Sequence, residues 1–167
     1  MIEKKKIIIG SRGSKLSLAY SNHVKKLLIK SNSKFDDNSI KIKIIKTSGD
    51  IFHNKRISDI GGKGVFSKQI EDELLDSKID LAVHSLKDLP TIMTNGLCVK
   101  AVVKRNDPRD VFISHSRKSF YQLDPNSKIG TSSFRRQAQL NLLRNDIKIV
   151  PMRGNIDTRI SKLKNKE

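Results

Sequence analysis

Short isoleucine- and valine-rich runs alternate with segments of helical period along the chain, and no other feature restricts the fold as much. Ile7-Ile8-Ile9 forms the first run, followed by a helical stretch from Ser14 to Lys30 whose stripe is Leu16, Tyr20, Val24, Leu27 and Leu28. A strand over 40–46 alternates Ile40, Ile42 and Ile44 with lysines and ends in Thr47-Ser48-Gly49-Asp50. Gly61-Gly62-Lys63-Gly64 then opens a helix reaching Ser77, with Val65, Phe66, Ile70, Leu74 and Leu75 inward. A strand over 79–83, a polar loop His84 to Leu89 and Pro90 follow. The expected remainder is strands at 97–103, 111–114, 128–130 and 147–151, a short turn of helix near 119–123, and helices at 134–144 and 156–166.

Strand–helix alternation of this kind predicts α/β architecture with mostly parallel sheets, in which ligands bind at the carboxyl ends of strands. The charged, turn-rich stretch Lys104-Arg105-Asn106-Asp107-Pro108-Arg109-Asp110 marks a hinge, so a first domain is expected over 1–103 and a second over 104–167. The second βα series stops on a surface helix at Glu167, so that domain is expected to be incomplete.

Lysine and arginine total 34 against 17 acids, a net charge of +17 that attracts polyanions of any kind. Many lysines lie in runs such as Lys4-Lys5-Lys6 that a solvated face explains. The basic start with three isoleucines is too short for a secretory signal, and nothing approaches a membrane span, so a cytoplasmic location with no membrane partner is expected. Cys98, the single cysteine, lies in the apolar run Leu97-Cys98-Val99 and is expected to be a buried thiol. His23, His53, His84 and His115 lack ligand spacing, so no metal site is expected.

Polar groups concentrate just after strands: Arg12 and Ser14; Lys63; His84, Ser85, Lys87 and Asp88; Thr131, Ser132, Ser133, Arg135 and Arg136; Arg153, Gly154, Asn155 and Arg159. A parallel sheet gathers such positions along one edge, where helix-terminal N–H groups and cations suit an anion. In Gly130-Thr131-Ser132-Ser133-Phe134-Arg135-Arg136, hydroxyls can cap a helix and arginine forks can hold carboxylates, although simple N-cap chemistry explains the pattern equally well. Gly61-Gly62-Lys63-Gly64 is not a nucleotide phosphate loop, because Ile57 stands at the first glycine position and Gly64 follows the lysine; a tight turn or an anion-presenting loop both remain open. In His84-Ser85-Leu86-Lys87-Asp88, Asp88 is either a carboxylate working beside cations or one half of a salt bridge. No G-x-S-x-G elbow supports a serine hydrolase.

Taken together, Arg12-Gly13-Ser14-Lys15-Leu16, Gly61 to Phe66, Asp80 to Pro90, Asp107-Pro108-Arg109-Asp110, Gly130 to Gln137, and Arg153-Gly154-Asn155 with Thr158-Arg159 resemble the porphobilinogen deaminases (hydroxymethylbilane synthases) over essentially the whole chain. Lys15, Ser17 and Tyr20 depart from the Pro, Ala and Gln more usual in that family's first helix. The resemblance implies a transferase of tetrapyrrole and haem biosynthesis. Such an enzyme joins four porphobilinogen units with loss of ammonia on a dipyrromethane cofactor. It also implies a periplasmic-binding-protein-like first domain, a hinge, a second such domain and a third that carries the cofactor cysteine.

Carried over residue by residue, Asp88 becomes the catalytic carboxylate. Arg12, Ser14, Ser85, Lys87, Thr131, Ser132, Ser133, Arg135, Arg136, Arg153 and Arg159 become cofactor-binding residues, and Arg12, Lys63, Arg153 and Arg159 also face substrate. Cys98 does not match the attachment cysteine, so this chain is expected to be a truncated form or one half of a split enzyme with a C-terminal partner. A non-catalytic module for anionic pyrroles is the alternative. Nucleic acid is the least favoured partner, because aromatic content is 5% and no nucleic-acid motif is present.

Overall fold

The computed structural model describes residues 6–51 and 64–166. The chain forms two compact units, Met1–Lys104 and Arg105–Glu167. In the first unit, β1 (Ile7–Ser11) is the centre of a three-stranded sheet, flanked by β2 (Ile40–Ile44) and β3 (Leu81–Ala82). Both pairings are parallel, with Ile7 opposite Ile40 and Ile9 opposite Leu81. Asp80 N–H and Val83 N–H donate to Ile8 and Gly10 carbonyls and so extend the short β3 ladder at both ends. The central position explains why Ile9, Gly10 and Ser11 are buried, since a middle strand has neighbours on both edges. A Cβ on Gly10 would overlap the Ile79 side chain, so the glycine is what lets β1 and the approach to β3 pack together.

Helix α1 (Lys15–Ser31) begins where Ser14 Oγ accepts from Ser17 N–H at 3.2 Å. Its inward face differs from the stripe read in the sequence: Ser21 is fully buried and Leu18, Val24 and Leu28 are half-buried, whereas Leu16, Tyr20 and Leu27 are exposed. A small residue at the contact lets a helix lie close to a sheet, and that rotation turns the larger side chains outward. Helix α2 (Ser48–Ile51) follows β2, and α3 (Lys68–Leu75) precedes β3. Helix α3 starts later than its sequence pattern suggests, because Gly64 adopts a left-handed φ of 71° and its carbonyl accepts from both Ser67 and Lys68 N–H in a tight turn. Gly61, Gly62 and Lys63 lie outside the described residues. The core of this unit joins Ile45, Ile70 and Ile79, with Ile8, Leu74 and Ala82 packed against them. Lys43 on β2 pairs with Glu73 on α3 across its margin.

The second unit holds β4 (Lys128–Gly130) and β5 (Lys148–Val150) in parallel, each followed by a helix, α4 (Phe134–Leu143) and α5 (Ile156–Lys164). Its buried apolar side chains are Ile129 and Ile147. A 3-10 turn at Phe120–Gln122 is tied to the end of α4 by Arg144, whose Nη1 donates to the carbonyls of Phe120 and Leu123.

Two expected strands are absent. Residues 97–103 and 111–114 are irregular and largely exposed, and Cys98 is exposed rather than buried. Their apolar, β-branched composition favours a ladder, but β propensity acts through pairing and same-face packing, and among the described residues no strand pairs with either segment. Among those residues, no helix is long and apolar enough to cross a membrane.

The architecture is thus mixed α/β with parallel sheets, as the alternation of runs implied.

Candidate functional site

Parallel pairing brings the carboxyl ends of β1, β2 and β3 to one edge of the first unit. Arg12 follows β1, Thr47 to Asp50 follow β2, and His84 to Asp88 follow β3. Arg12 is the centre of the best-defined group. Its Nε donates to both Asp50 carboxylate oxygens at 3.2 Å, and its Nη2 reaches Oδ1 at 2.5 Å. Thr47 Oγ1 donates to Asp50 Oδ2 at 2.7 Å, and the Phe66 ring lies 4.2 Å under the guanidinium. Both charged side chains are mostly sequestered, with exposures of 16% for Arg12 and 19% for Asp50. Burial pushes the Asp50 carboxyl up, but the hydrogen bonds from Arg12 and Thr47 outweigh it and hold the group below its ordinary value.

The loop after β3 places Ser85 ahead of a 3-10 turn at Leu86–Asp88, closed by Asp88 N–H donating to the Ser85 carbonyl at 2.9 Å. Asp88 is half-buried and Lys87 is exposed. His84 is held below its ordinary pKa chiefly by burial, while Asp88 and Glu71 pull it up and Arg12 pushes it down. Among the described residues its buried Nε2 has no partner, nor has Glu71 Oε1; the other Glu71 oxygen, Oε2, accepts from Thr94 at 2.6 Å. Arg12, His84 and Asp88 therefore belong to one electrostatic neighbourhood. Ser14, at the start of α1, spends its hydroxyl on Ser17, accepting from its N–H and donating to its Oγ at 2.8 Å.

In the second unit, the loops after β4 and β5 lie at the carboxyl end of that unit's own two-stranded parallel sheet. Ser133 Oγ caps α4 by accepting from Arg136 N–H, and Thr131 Oγ1 accepts from Ser133 N–H at 3.2 Å. Ser132 Oγ accepts from Met152 N–H at 3.1 Å and so ties the two loops together. Arg136 is committed to Asp110 through Nε at 2.9 Å and Nη2 at 2.6 Å, which lowers the Asp110 pKa and raises that of Arg136. Arg135 and Arg153 are exposed. Arg159 is half-buried, and its Nε is buried without a partner among the described residues. Lys63 falls outside the described residues.

Sequence reasoning passed over Asp50, Thr47, Phe66 and Glu71. The available signal was position: Thr47 to Asp50 follow a strand as the other clusters do, but a search for cations gave an acid there no weight.

A family model described as "Porphobilinogen deaminase, dipyromethane cofactor binding domain" matches residues 7–167. Relatives named porphobilinogen deaminase are 53% identical in Ehrlichia chaffeensis over 93% of this chain, 50% in Syntrophomonas wolfei over 95%, and 44% in Sulfurimonas denitrificans over 98%. The chain spans about half of each relative's length, 51% in all three. With a family model running from β1 to the last residue and relatives this similar throughout, the chain belongs to the porphobilinogen deaminase family.

Proposed function

We propose that the chain supplies the cofactor- and substrate-holding part of a hydroxymethylbilane synthase, a transferase that joins four porphobilinogen units head to tail with loss of ammonia. The observation that carries the reading is the half-buried Asp88 in the loop after β3, at the edge where the parallel strands end, where it and Arg12 both act on the charge of His84. Each porphobilinogen brings an acetate and a propionate, so a site for a growing chain of them needs cations with directional forks. Asp88 is proposed as the catalytic carboxylate: loss of ammonia leaves a cationic pyrrole, and a carboxylate beside it stabilises that charge and moves a proton from the pyrrole nitrogen.

Each unit by itself carries donors of the kind that the carboxylates of a dipyrromethane require. In the second unit, Arg159 offers a buried Nε without a partner among the described residues, and Arg135 and Arg153 are exposed beside hydroxyl-bearing loops; in the first, Lys87 and Ser85 flank Asp88. When bound, that cofactor provides the end to which pyrrole units are joined. We assign Arg12, Lys63, Arg153 and Arg159 to substrate carboxylates as well. Ser14, Thr131, Ser132 and Ser133 act mainly by fixing the loops, which agrees with their bonds to backbone N–H groups, and Arg136 acts with Asp110. We read residues 1–103 as a periplasmic-binding-protein-like domain and those from 104 as part of a second, joined at a hinge. The compact units meeting at Lys104 and Arg105 support that division. The attachment cysteine is proposed to come from the half of the relatives' length outside this chain, whether on one polypeptide or on a partner.

Incubation with porphobilinogen, followed by Ehrlich's reagent and mass spectrometry, tests the proposal. The chain combined with a cysteine-bearing C-terminal half should consume porphobilinogen and gain pyrrole mass. Binding without consumption would favour a pyrrole-holding module, and neither would refute the reading.

A further inference from the structure

We infer that Asp50, Thr47 and Phe66 are positioning residues for Arg12, holding the Nε–Nη2 edge of its guanidinium so that a ligand carboxylate meets Arg12 through its Nη1 end. The inference rests on the reading of Arg12 as a carboxylate-binding residue and adds residues and an orientation that the reading does not contain. A guanidinium offers two forked edges, one formed by Nε and an Nη, the other by the two Nη groups. Asp50 occupies the first, with contacts of 3.2 Å from Nε and 2.5 Å from Nη2.

Asp50 is itself fixed. Thr47, fully buried, donates to its Oδ2 through both hydroxyl and N–H, at 2.7 and 3.3 Å. The Asp50 N–H returns to the Thr47 carbonyl at 2.9 Å. Phe66 fixes the plane of the guanidinium from one face at 4.2 Å. That ring fits because Gly49 has no side chain, where a Cβ would overlap it. In-plane rotation and tilt of Arg12 are therefore both constrained before any ligand arrives.

The consequence is a change in what Arg12 contributes. Paired with Asp50 it is locally neutral, so it selects a carboxylate by direction rather than by net charge, while exposed cations supply the field. A ligand that drew Arg12 away would strand a mostly buried carboxylate, which is costly, so the pair persists when a ligand binds.

Site-resolved nitrogen NMR of the arginine side chains in the full chain tests this. Propionate, which carries the carboxylate without the pyrrole, is titrated first and porphobilinogen second. The expected result is an Arg12 Nε–H signal protected from exchange and unmoved by propionate, with the Nη groups shifting. Asp50→Asn should abolish the protection and weaken propionate binding at Arg12 at least fivefold, and Asp50→Glu should restore part of it.

A ligand-dependent shift of the Nε signal, native affinity in Asp50→Asn, or no response of Arg12 to either probe would each overturn the inference. A response to propionate but not to porphobilinogen would leave the positioning intact and remove the substrate reading. If Asp50→Asn does not fold, Thr47→Val serves instead, since it keeps shape and deletes the 2.7 Å hydrogen bond. About a twofold loss is expected there, and none would count against the positioning role.

Discussion

At Asp50 the balance of burial against hydrogen bonding has a measurable acid limb. Its folded pKa lies below the ordinary value of about 3.9, so the Arg12–Asp50 pair contributes its full stability above that pH and loses it as pH falls through the folded value. Urea denaturation between pH 7 and pH 3 should show the loss, and Asp50→Asn should flatten it. His84 acts in the same sense over a different window. Its pKa is lowered, so folding is favoured fully above its ordinary value of about 6.5 and weakens as pH falls below it, a slope that His84→Gln should remove. Asp88→Asn in the assembled enzyme should lower turnover by about a hundredfold or more, measured as porphobilinogen consumption. The residue types of this neighbourhood were legible in the sequence, because Arg12, His84 and Asp88 each follow a strand. Its pairing was not: Arg12 and Asp50 are separated by 38 positions, and only the β1–β2 register brings them together.

Among the elements, the strands that pair are those with a neighbour to pair with. The runs at 7–11, 40–44, 128–130 and 148–150 became ladders, whereas the equally β-prone 97–103 did not. A ladder is a property of two segments, and one segment's composition states only half of it. Cys98 consequently lies on an exposed segment and should react with a thiol reagent in the folded chain at a rate close to that of a free thiol. A rate suppressed a hundredfold would contradict that exposure. For helices, the caps were the readable part. Ser14 and Ser133 both accept from the first turn, and Ser133→Ala should destabilise α4's unit by about 1 kcal/mol in thermal or urea unfolding. Which face of α1 turns inward depended on Ser21, a residue without any hydrophobic signal.

Across the whole molecule, the two units differ in how much they bury. The first gathers Ile45, Ile70 and Ile79 with their neighbours, while the described core of the second is Ile129 and Ile147. Ile70→Ala should therefore cost about 2–5 kcal/mol in urea denaturation, a large share of a small domain's stability. The sequence by itself determined the α/β class, the helices and the strands that did form in their order, and the placement of polar clusters after strands, because backbone period and helix-capping chemistry act over a few neighbouring residues. It also determined family membership, which similarity along nearly the whole chain reflects. Only the tertiary structure decided which runs pair, which helix face is buried, and that Arg12 is held by Asp50 over Phe66. Those outcomes depend on contacts between distant segments, whose energies exist only once the sheet has set them side by side.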